Sequence, residues 1–380
     1  MGAEFEVNNM SDLCAMMCDN WVPPTEEMRN PFLFDESKSP ERMISVSQIQ
    51  TFLSCKKKWG YNYIENIKPR IERSYLTVGK LCHRGMQVAM QAAWGEDEIG
   101  WWKDWRDLGI SAMEDMWHKY VEETPLLNEE IPAVVQLLED AKSIFKQAFY
   151  EFEPWKYEVL SINNNGRKSP ALELHFWVPC PNTAGMHGFI DAILRDKETG
   201  FVWCTDYKFR KSLSPDEDEA FNIQNAVYSY ACKKLGVEIT GTMTWQHVNT
   251  PAADPKINKD GTISTAKIKT TWEHYEKFCQ DHGQDPQDYF LEMEEKLRDI
   301  EWFRATLEYR NDGTVQRIWD GCITPVAKRI SEARKENADN YRSMYPWNCK
   351  MCQYQSICQG ELRGYDVEAI KQREFVVRDR

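Results

Sequence analysis

The spacing of apolar positions changes along the chain. Between about residue 45 and residue 150 it predicts helices. Ser45 or Ser47 can cap a helix running to about Lys58, with Ile49, Phe52 and Leu53 on its apolar side. A second helix is expected from Val78 to Trp94. Residues 100–150 read as helices rich in tryptophan (Trp101, Trp102, Trp105, Trp117), rings that burial preference places in a core before a base-stacking surface. The middle of the chain switches to a period of two. Ala171 to Val178 alternates as a strand does. His187 to Arg195 and Phe201 to Phe209 predict two more strands, joined by the turn Asp196-Lys197-Glu198-Thr199-Gly200.

A well-signalled helix follows. Ser214 stands at the cap and Pro215 at the first helical position. Asp216, Glu217 and Asp218 fill the positive first turn, Lys233 and Lys234 the last, and Gly236 ends it. Thr242 to Val248 predicts a further strand, and residues 250–270 a polar loop around Gly261. Helices are expected from about Trp272 to Arg310 and around Val326 to Tyr341. Residues 1–44, with Pro23-Pro24, Pro31 and Pro40, show no sustained period. The organisation this predicts is an irregular extension (1–44), N-terminal helices (45–94), a helical insertion (95–160), a core (161–248), a loop and helical region (249–340) and a C-terminal segment (341–380).

Composition narrows the class. With 380 residues, 42% hydrophobic and 28% charged, the chain is an ordinary globular protein with enough length for a large core. No apolar run approaches the roughly 20 residues of a membrane helix, so no membrane role is expected. The start, Met1-Gly2-Ala3-Glu4-Phe5-Glu6, lacks the basic and apolar regions of a signal peptide. A cytoplasmic location is therefore expected. In that reducing compartment the 12 cysteines are better read as core residues and metal ligands than as disulfides. The net charge of −13 is awkward for a nucleic-acid enzyme, but it does not describe a local groove. Basic residues do cluster: Lys56, Lys57 and Lys58 with Lys68, Arg70 and Arg73; Lys80 with Arg84; Lys208 with Arg210 and Lys211.

The hairpin carries the candidate chemistry. Folding its strands about Glu198 places Asp191 and Asp206 beside each other within about one residue of register. Alternation puts Asp206 and Lys208 on one face. Adjacent carboxylates repel unless a cation compensates, and magnesium or manganese suits carboxylate oxygens. Such an ion can activate water and stabilise charge on a phosphodiester. Lys208 could orient or deprotonate that water, or neutralise developing charge. Gln224 and Tyr228, one turn apart on the next helix, could touch a phosphate, position Lys208, or simply pack at a polar seam. The bland alternative for the whole set is an exposed hairpin with scattered charges. His83 is a lone histidine, and its spacing does not mark it as a ligand.

Cys349, Cys352 and Cys358 form a compact set of soft ligands near the C-terminus. Three thiolates complete neither a tetrahedral zinc site nor an iron–sulfur cubane, so a fourth must come from elsewhere. Cys55, flanked by Lys56, is a candidate because cations favour thiolate. Cys82, Cys180, Cys204, Cys232, Cys279 and Cys322 stand in apolar segments and read as core. Cys14 and Cys18 are close together in an irregular segment. Spacing alone leaves zinc and iron–sulfur open.

These residues together resemble the RecB-like exonucleases of the PD-(D/E)xK superfamily. The likeness is to the CRISPR-associated and AddB-type nucleases with a 4Fe–4S cluster, and above all to bacteriophage-encoded members. It runs from Ser45 to about Gly364. It rests on Ser45-Val46-Ser47 leading to Cys55, Tyr61-Asn62-Tyr63-Ile64, Gly79-x3-His83, Gly188-Phe189-Ile190-Asp191, Asp206-Tyr207-Lys208, Gln224-x3-Tyr228 and the cysteine triplet. The resemblance implies an α/β fold: a restriction-endonuclease-like core with a mixed central sheet and helical insertions, its N- and C-terminal segments joined by the cluster. It implies manganese or magnesium on His83, Asp191, Asp206 and the Tyr207 carbonyl, with Lys208 catalytic beside Gln224 and Tyr228. It implies cluster ligation by Cys55, Cys349, Cys352 and Cys358, with zinc as the alternative at that site. The implied activity is cleavage of single-stranded DNA or DNA ends, in phage recombination, replication or degradation in a host cytoplasm, with a possible recombination or replication protein partner. Lys56, Lys57, Arg84, Arg210 and Lys211 are the expected DNA contacts. The other class of reading is a DNA-binding or assembly subunit with a nuclease fold and little cleavage. Two departures stand out: Asp206 where glutamate is common, and no motif within 1–44 or 95–160. Glu173, on the strand before the hairpin, could orient a ligand but carries no motif.

Overall fold

Ser45 caps the first helix as its position predicts. Its Oγ accepts from the backbone N–H of Gln48 at 3.3 Å, and the helix, α1, spans Val46–Ser54. The expected single helix to Lys58 is broken, however. Cys55 adopts extended backbone (φ −165°, ψ 115°), closing α1 and opening the short α2 (Lys56–Trp59). In this computed structural model, residues 30–34, 43–94, 102–124, 126, 130–148, 153–164, 167–336 and 341–378 are described. The expected irregular extension therefore lies largely outside the described residues, as do Cys14, Cys18 and Trp101.

After strand β1 (Ile67–Pro69) come three helices: α3 (Ser74–Ala93), α4 (Trp102–Glu123) and α5 (Ile131–Ala148). Helices α3 and α4 cross at glycines. A Cβ on Gly109 would stand 2.8 Å from the backbone oxygen of Gly85, so a larger residue there would push the helices apart. Trp117 on α4 is half-buried and donates to the Val134 carbonyl at 3.2 Å.

Strands β2 (Tyr157–Val159), β3 (Ser161–Asn164), β4 (Arg167–Pro170), β5 (Leu172–Val178), β6 (Met186–Asp196) and β7 (Val202–Arg210) follow. Helix α6 (Ile223–Leu235) returns the chain to β8 (Gly241–Val248), which lies parallel to β7. The central sheet runs β2-β6-β7-β8 and ends in β9 (Phe303–Glu308), with β5 also paired to β6. β3 and β4 form a separate hairpin.

Two helix expectations change. The acidic run Asp216–Phe221 is a 3-10 turn, and Asn222 rather than Ser214 caps α6, accepting from the Gln224 N–H at 3.0 Å. Glu219 explains the shift. It turns inward, and its Oε2 accepts from Asn222, Asn225 and Thr244, so it does not sit as a solvated charge on a helix end. Gly236 ends α6 as expected, with φ 78°. The segment from Trp272 to Arg310 is not continuous helix. It holds α7 (Trp272–Asp281), α8 (Phe290–Leu297) and the edge strand β9, whose six residues are too short to show a clear period. Beyond it lie α9 (Asp312–Ile318) and α10 (Thr324–Glu336), the latter within the second predicted helical region.

The sheet separates two cores. One gathers Ile49 and Phe52 of α1, Val227 and Ala231 of α6, and Ala327 and Ile330 of α10 against Phe176, Ile190 and Cys204. The other gathers Leu81, Met86 and Met90 of α3 and Ile144 and Phe145 of α5 against Leu194, Trp203 and Trp245. A third, small core joins the two ends of the chain: Tyr61 and Ile67 pack with Tyr354, Ile357, Val367 and Phe375. There, β1 pairs antiparallel with β10 (Phe375–Val377), and the Tyr354 hydroxyl donates to Asn62 and the Ile67 carbonyl at 2.9 and 2.8 Å.

Candidate active site

The hairpin register sets the site. Ala192 pairs with Thr205, so the next step away from the turn brings Asp191 level with Asp206. Asp191 Oδ2 accepts the Tyr207 N–H at 2.7 Å, which ties its carboxylate to the neighbouring strand. On the other side of β6, Leu172 pairs with Ala192 and Leu174 with Ile190, which sets Glu173 opposite Asp191. Three carboxylates thus stand on three adjacent strands. Glu173 has φ 44°, a left-handed conformation that few non-glycine residues adopt and that tends to mark functional sites.

His83 reaches this row from α3, its Nδ1 3.6 Å from Asp191 Oδ2. Ligand atoms of His83, Glu173 and Asp191 all lie within 4.8 Å of one another, the one such group among the described residues. Asp206 stands just beside it, held by other partners. Lys208 Nζ lies 2.7 Å from Asp206 Oδ1 and 2.6 Å from Oδ2. It also donates to Gln224 Oε1 at 3.3 Å. Gln224 Nε2 donates to Asp206 Oδ1 at 3.0 Å and to the Tyr228 hydroxyl at 2.8 Å. The amide of Gln224 is thereby fully used, and one turn of α6 fixes the lysine and the carboxylate together. The Tyr207 ring is buried and stacks on Trp245, with centroids 5.3 Å apart.

Charge is unbalanced in this site. Burial pushes the Asp191 carboxyl up from the usual range; His83 pulls it down, Asp206 pushes it up, and Lys208 and the Tyr207 N–H pull it down. Glu173 is pushed up to about 8, first by burial and then by Asp191, against the opposite pull of Arg84. Burial holds the Tyr228 phenol well above its usual range, so it stays protonated. Asp191 and Asp206 are buried and Glu173 is half-buried; the one ammonium of Lys208 against the two buried aspartates leaves negative charge for a cation to offset. Carboxylate oxygens with one imidazole suit magnesium or manganese.

The basic residues divide. Lys211 is exposed, and Arg84 donates to Gln87 at 2.7 Å near Glu173. Arg210 points into an interior network, donating to Ser214 Oγ at 2.6 Å and Gln246 Oε1 at 3.2 Å. Lys57 pairs with Glu361 at 2.9 Å, and the Lys56 ammonium lies over the Phe52 and Tyr341 rings.

Three of the four candidate cysteines come together beside the third core. Cys352 and Cys358 pack against it, and Cys55 and Cys358 both act on the Cys352 thiol. Burial pushes that thiol up, with Lys58 pulling it down. Cys349 lies one turn before Cys352, whose N–H donates to the Cys349 carbonyl at 3.1 Å. Arg342 Nε donates to Cys358 Sγ at 3.3 Å. No three of these sulfurs come within 4.8 Å of one another. A tetrahedral zinc thiolate site, with Zn–S near 2.3 Å, has sulfurs about 3.8 Å apart. Of the cysteines read as core, Cys82, Cys180, Cys204, Cys232 and Cys279 are buried and Cys322 is half-buried.

Glu173 carries no motif in the sequence, and nothing in the spacing marks Arg342. The register that brings Glu173 to Asp191 depends on the loop between β5 and β6, and no local spacing encodes it. Arg342 is visible only through its contact with Cys358.

A family model described as the PD-(D/E)XK nuclease superfamily matches residues 43–359. Comparison with curated proteins finds no match.

Proposed function

Because the chain belongs to the PD-(D/E)XK nuclease superfamily, we propose that it is a divalent-metal-dependent deoxyribonuclease acting on single-stranded DNA or DNA ends. The observation that carries this reading is the row Glu173, Asp191 and Asp206 on adjacent strands, with His83 at one side and Lys208 at the other. His83, Asp191, Asp206 and the Tyr207 carbonyl would hold manganese or magnesium, and Glu173 joins them on the geometry above. When bound, such an ion lowers the pKa of water and offsets charge on the scissile phosphate. Lys208 holds a proton-bearing ammonium beside Asp206, placed to orient the attacking water or to meet charge developing on the phosphate. Gln224 keeps Lys208 and Asp206 in register, and the neutral Tyr228 supports Gln224. Arg84 and Lys211 are the phosphate contacts that have fewest competing partners.

We assign Cys55, Cys349, Cys352 and Cys358 to a 4Fe–4S cluster that fastens the chain ends. The Arg342 hydrogen bond to Cys358 would steady a thiolate ligand, and the assignment of iron–sulfur over zinc rests on the resemblance of the cysteine pattern. An anaerobic preparation should be brown; a colourless one containing zinc would reject the cluster. The net charge of −13 favours a second reading, a DNA-binding or assembly subunit that relies on a basic partner. The paired Lys208 and Asp206 argue for the enzyme. Manganese-dependent digestion of end-labelled DNA, absent in Asp191→Ala, tests between them.

A further inference from the structure

Residues 341–360 differ from the rest of this acidic chain. They contain Arg342 and Lys350 and no Asp or Glu. They also expose large side chains in close succession: Tyr341 (65%), Met344, Tyr345 (60%), Trp347 (68%) and Met351. Single exposed apolar residues are ordinary, but a contiguous run points to an interaction surface. Trp347 and Met351, four apart around α11 (Pro346–Lys350), share a face. Met344 has φ 52°, so the backbone between Tyr341 and Tyr345 holds a conformation disfavoured for its residue type.

Cations from the α1–α2 region complete this surface. The Lys57 N–H donates to the Tyr341 carbonyl at 3.1 Å, and the Lys56 ammonium lies 4.6 Å from the Tyr341 ring centroid. Glu361 is shared by Lys57 and Arg342, so this trio keeps a net positive charge. Among the described residues, Lys56, Lys58 and Lys350 have no carboxylate in ion-pair range. Exposed aromatic rings interleaved with lysines that no described carboxylate neutralises fit a flexible polyanion with flat bases, because every base has a face to stack and every phosphate a charge to neutralise. An acidic protein would use the lysines but not need the rings.

We propose that Tyr341, Tyr345 and Trp347, with Lys56, Lys58 and Lys350, form a base-stacking platform for single-stranded DNA, which feeds the strand toward Asp191. This rests on the reading of the chain as a DNA nuclease. The platform is tied to the helix that carries the histidine. Arg73, at the start of α3, donates to the Cys352 carbonyl at 3.1 Å. His83 lies ten residues further along that helix, about 15 Å at 1.5 Å per residue.

The test is fluorescence anisotropy of a labelled oligothymidylate with the full chain in EDTA, beside manganese-dependent hydrolysis of bis(p-nitrophenyl) phosphate. That diester is too small to reach the platform. The double variant Y345A/W347A should raise Kd by at least about tenfold, since each lost stack is worth about 1–3 kcal/mol. Its hydrolysis of the small diester should stay unchanged, and W347F should bind within about twofold of the parent chain. A Kd for the double variant within twofold of the parent overturns the proposal. So does a parallel loss of small-diester hydrolysis, which would mark a structural role. A parent chain that with manganese hydrolyses neither the diester nor the oligothymidylate, while the double variant loses DNA affinity in EDTA, refutes the nuclease reading and leaves the platform standing.

Discussion

Asp191→Asn should change the sign of its effect on stability when metal is added. The substitution keeps size and shape, and the new Oδ1 can still accept the Tyr207 N–H. It removes one charge from a carboxylate that is 8% exposed and stands level with Asp206. Two like charges about 5 Å apart at an effective dielectric of about 20 repel by roughly 3 kcal/mol. His83, Lys208 and the Tyr207 N–H offset part of this, so about 1 kcal/mol of net relief is expected in the variant without metal. With manganese at 100 times its Kd, the parent chain gains about 2.7 kcal/mol and the variant close to none. Unfolding entropy of about 2.1 cal/mol/K per residue gives roughly 0.8 kcal/mol/K for this chain. In a calorimetric scan the variant should therefore melt about 1 °C above the parent in EDTA. In manganese the parent should rise by about 3 °C and the variant should not move. A variant less stable than the parent in EDTA, or one that gains equally from manganese, would refute the charge argument.

Other outcomes follow from the same contacts. Glu173 has a folded pKa raised to about 8 from an ordinary 4.5, so the metal-free fold binds a proton that the unfolded chain has lost. Stability should therefore fall as pH rises from about 5 to 8, and Glu173→Gln should flatten that slope in urea midpoints measured in EDTA; an unchanged slope would assign it to other groups. Lys208→Ala should lower DNA cleavage by about 10²–10⁴-fold while EDTA-state DNA affinity stays within a few-fold, read by gel and anisotropy. Cys352→Ala should bleach the visible absorbance, lower the melting temperature and weaken DNA binding. A folded Cys352→Ala protein that binds DNA normally but loses cleavage would place the cysteines in the chemistry instead of the clasp.

Legibility followed the range of the interactions. The β6–β7 hairpin was readable because five turn residues and two alternating strands set its register locally, and that register puts Asp191 beside Asp206. The α6 terminus at Gly236 was readable because left-handed closure is a property of one residue. The start of α6 was not, because Glu219 is drawn inward by Thr244, a partner 25 residues away. Strand β9 was hidden because it gains its identity from pairing with β8, across a helical insertion with its own small core of Tyr275, Cys279 and Met293. Glu173 was hidden for the same reason, since only the β5–β6 pairing brings it to Asp191. The joining of the chain ends was not readable, because the β1–β10 pairing and the Tyr354 hydroxyl bind them through contacts nearly 300 residues apart, such as Asn62 to Tyr354.

The carboxylate row and Lys208 are proposed to form a metal-dependent nuclease centre. Its most direct test is digestion of single- and double-stranded DNA, labelled at each end, by anaerobically prepared protein. Manganese-dependent shortening of single strands or ends, stopped by EDTA and by Asp191→Asn, is expected. DNA left intact by the metal-loaded parent chain, or degraded equally by Asp191→Asn, would contradict it.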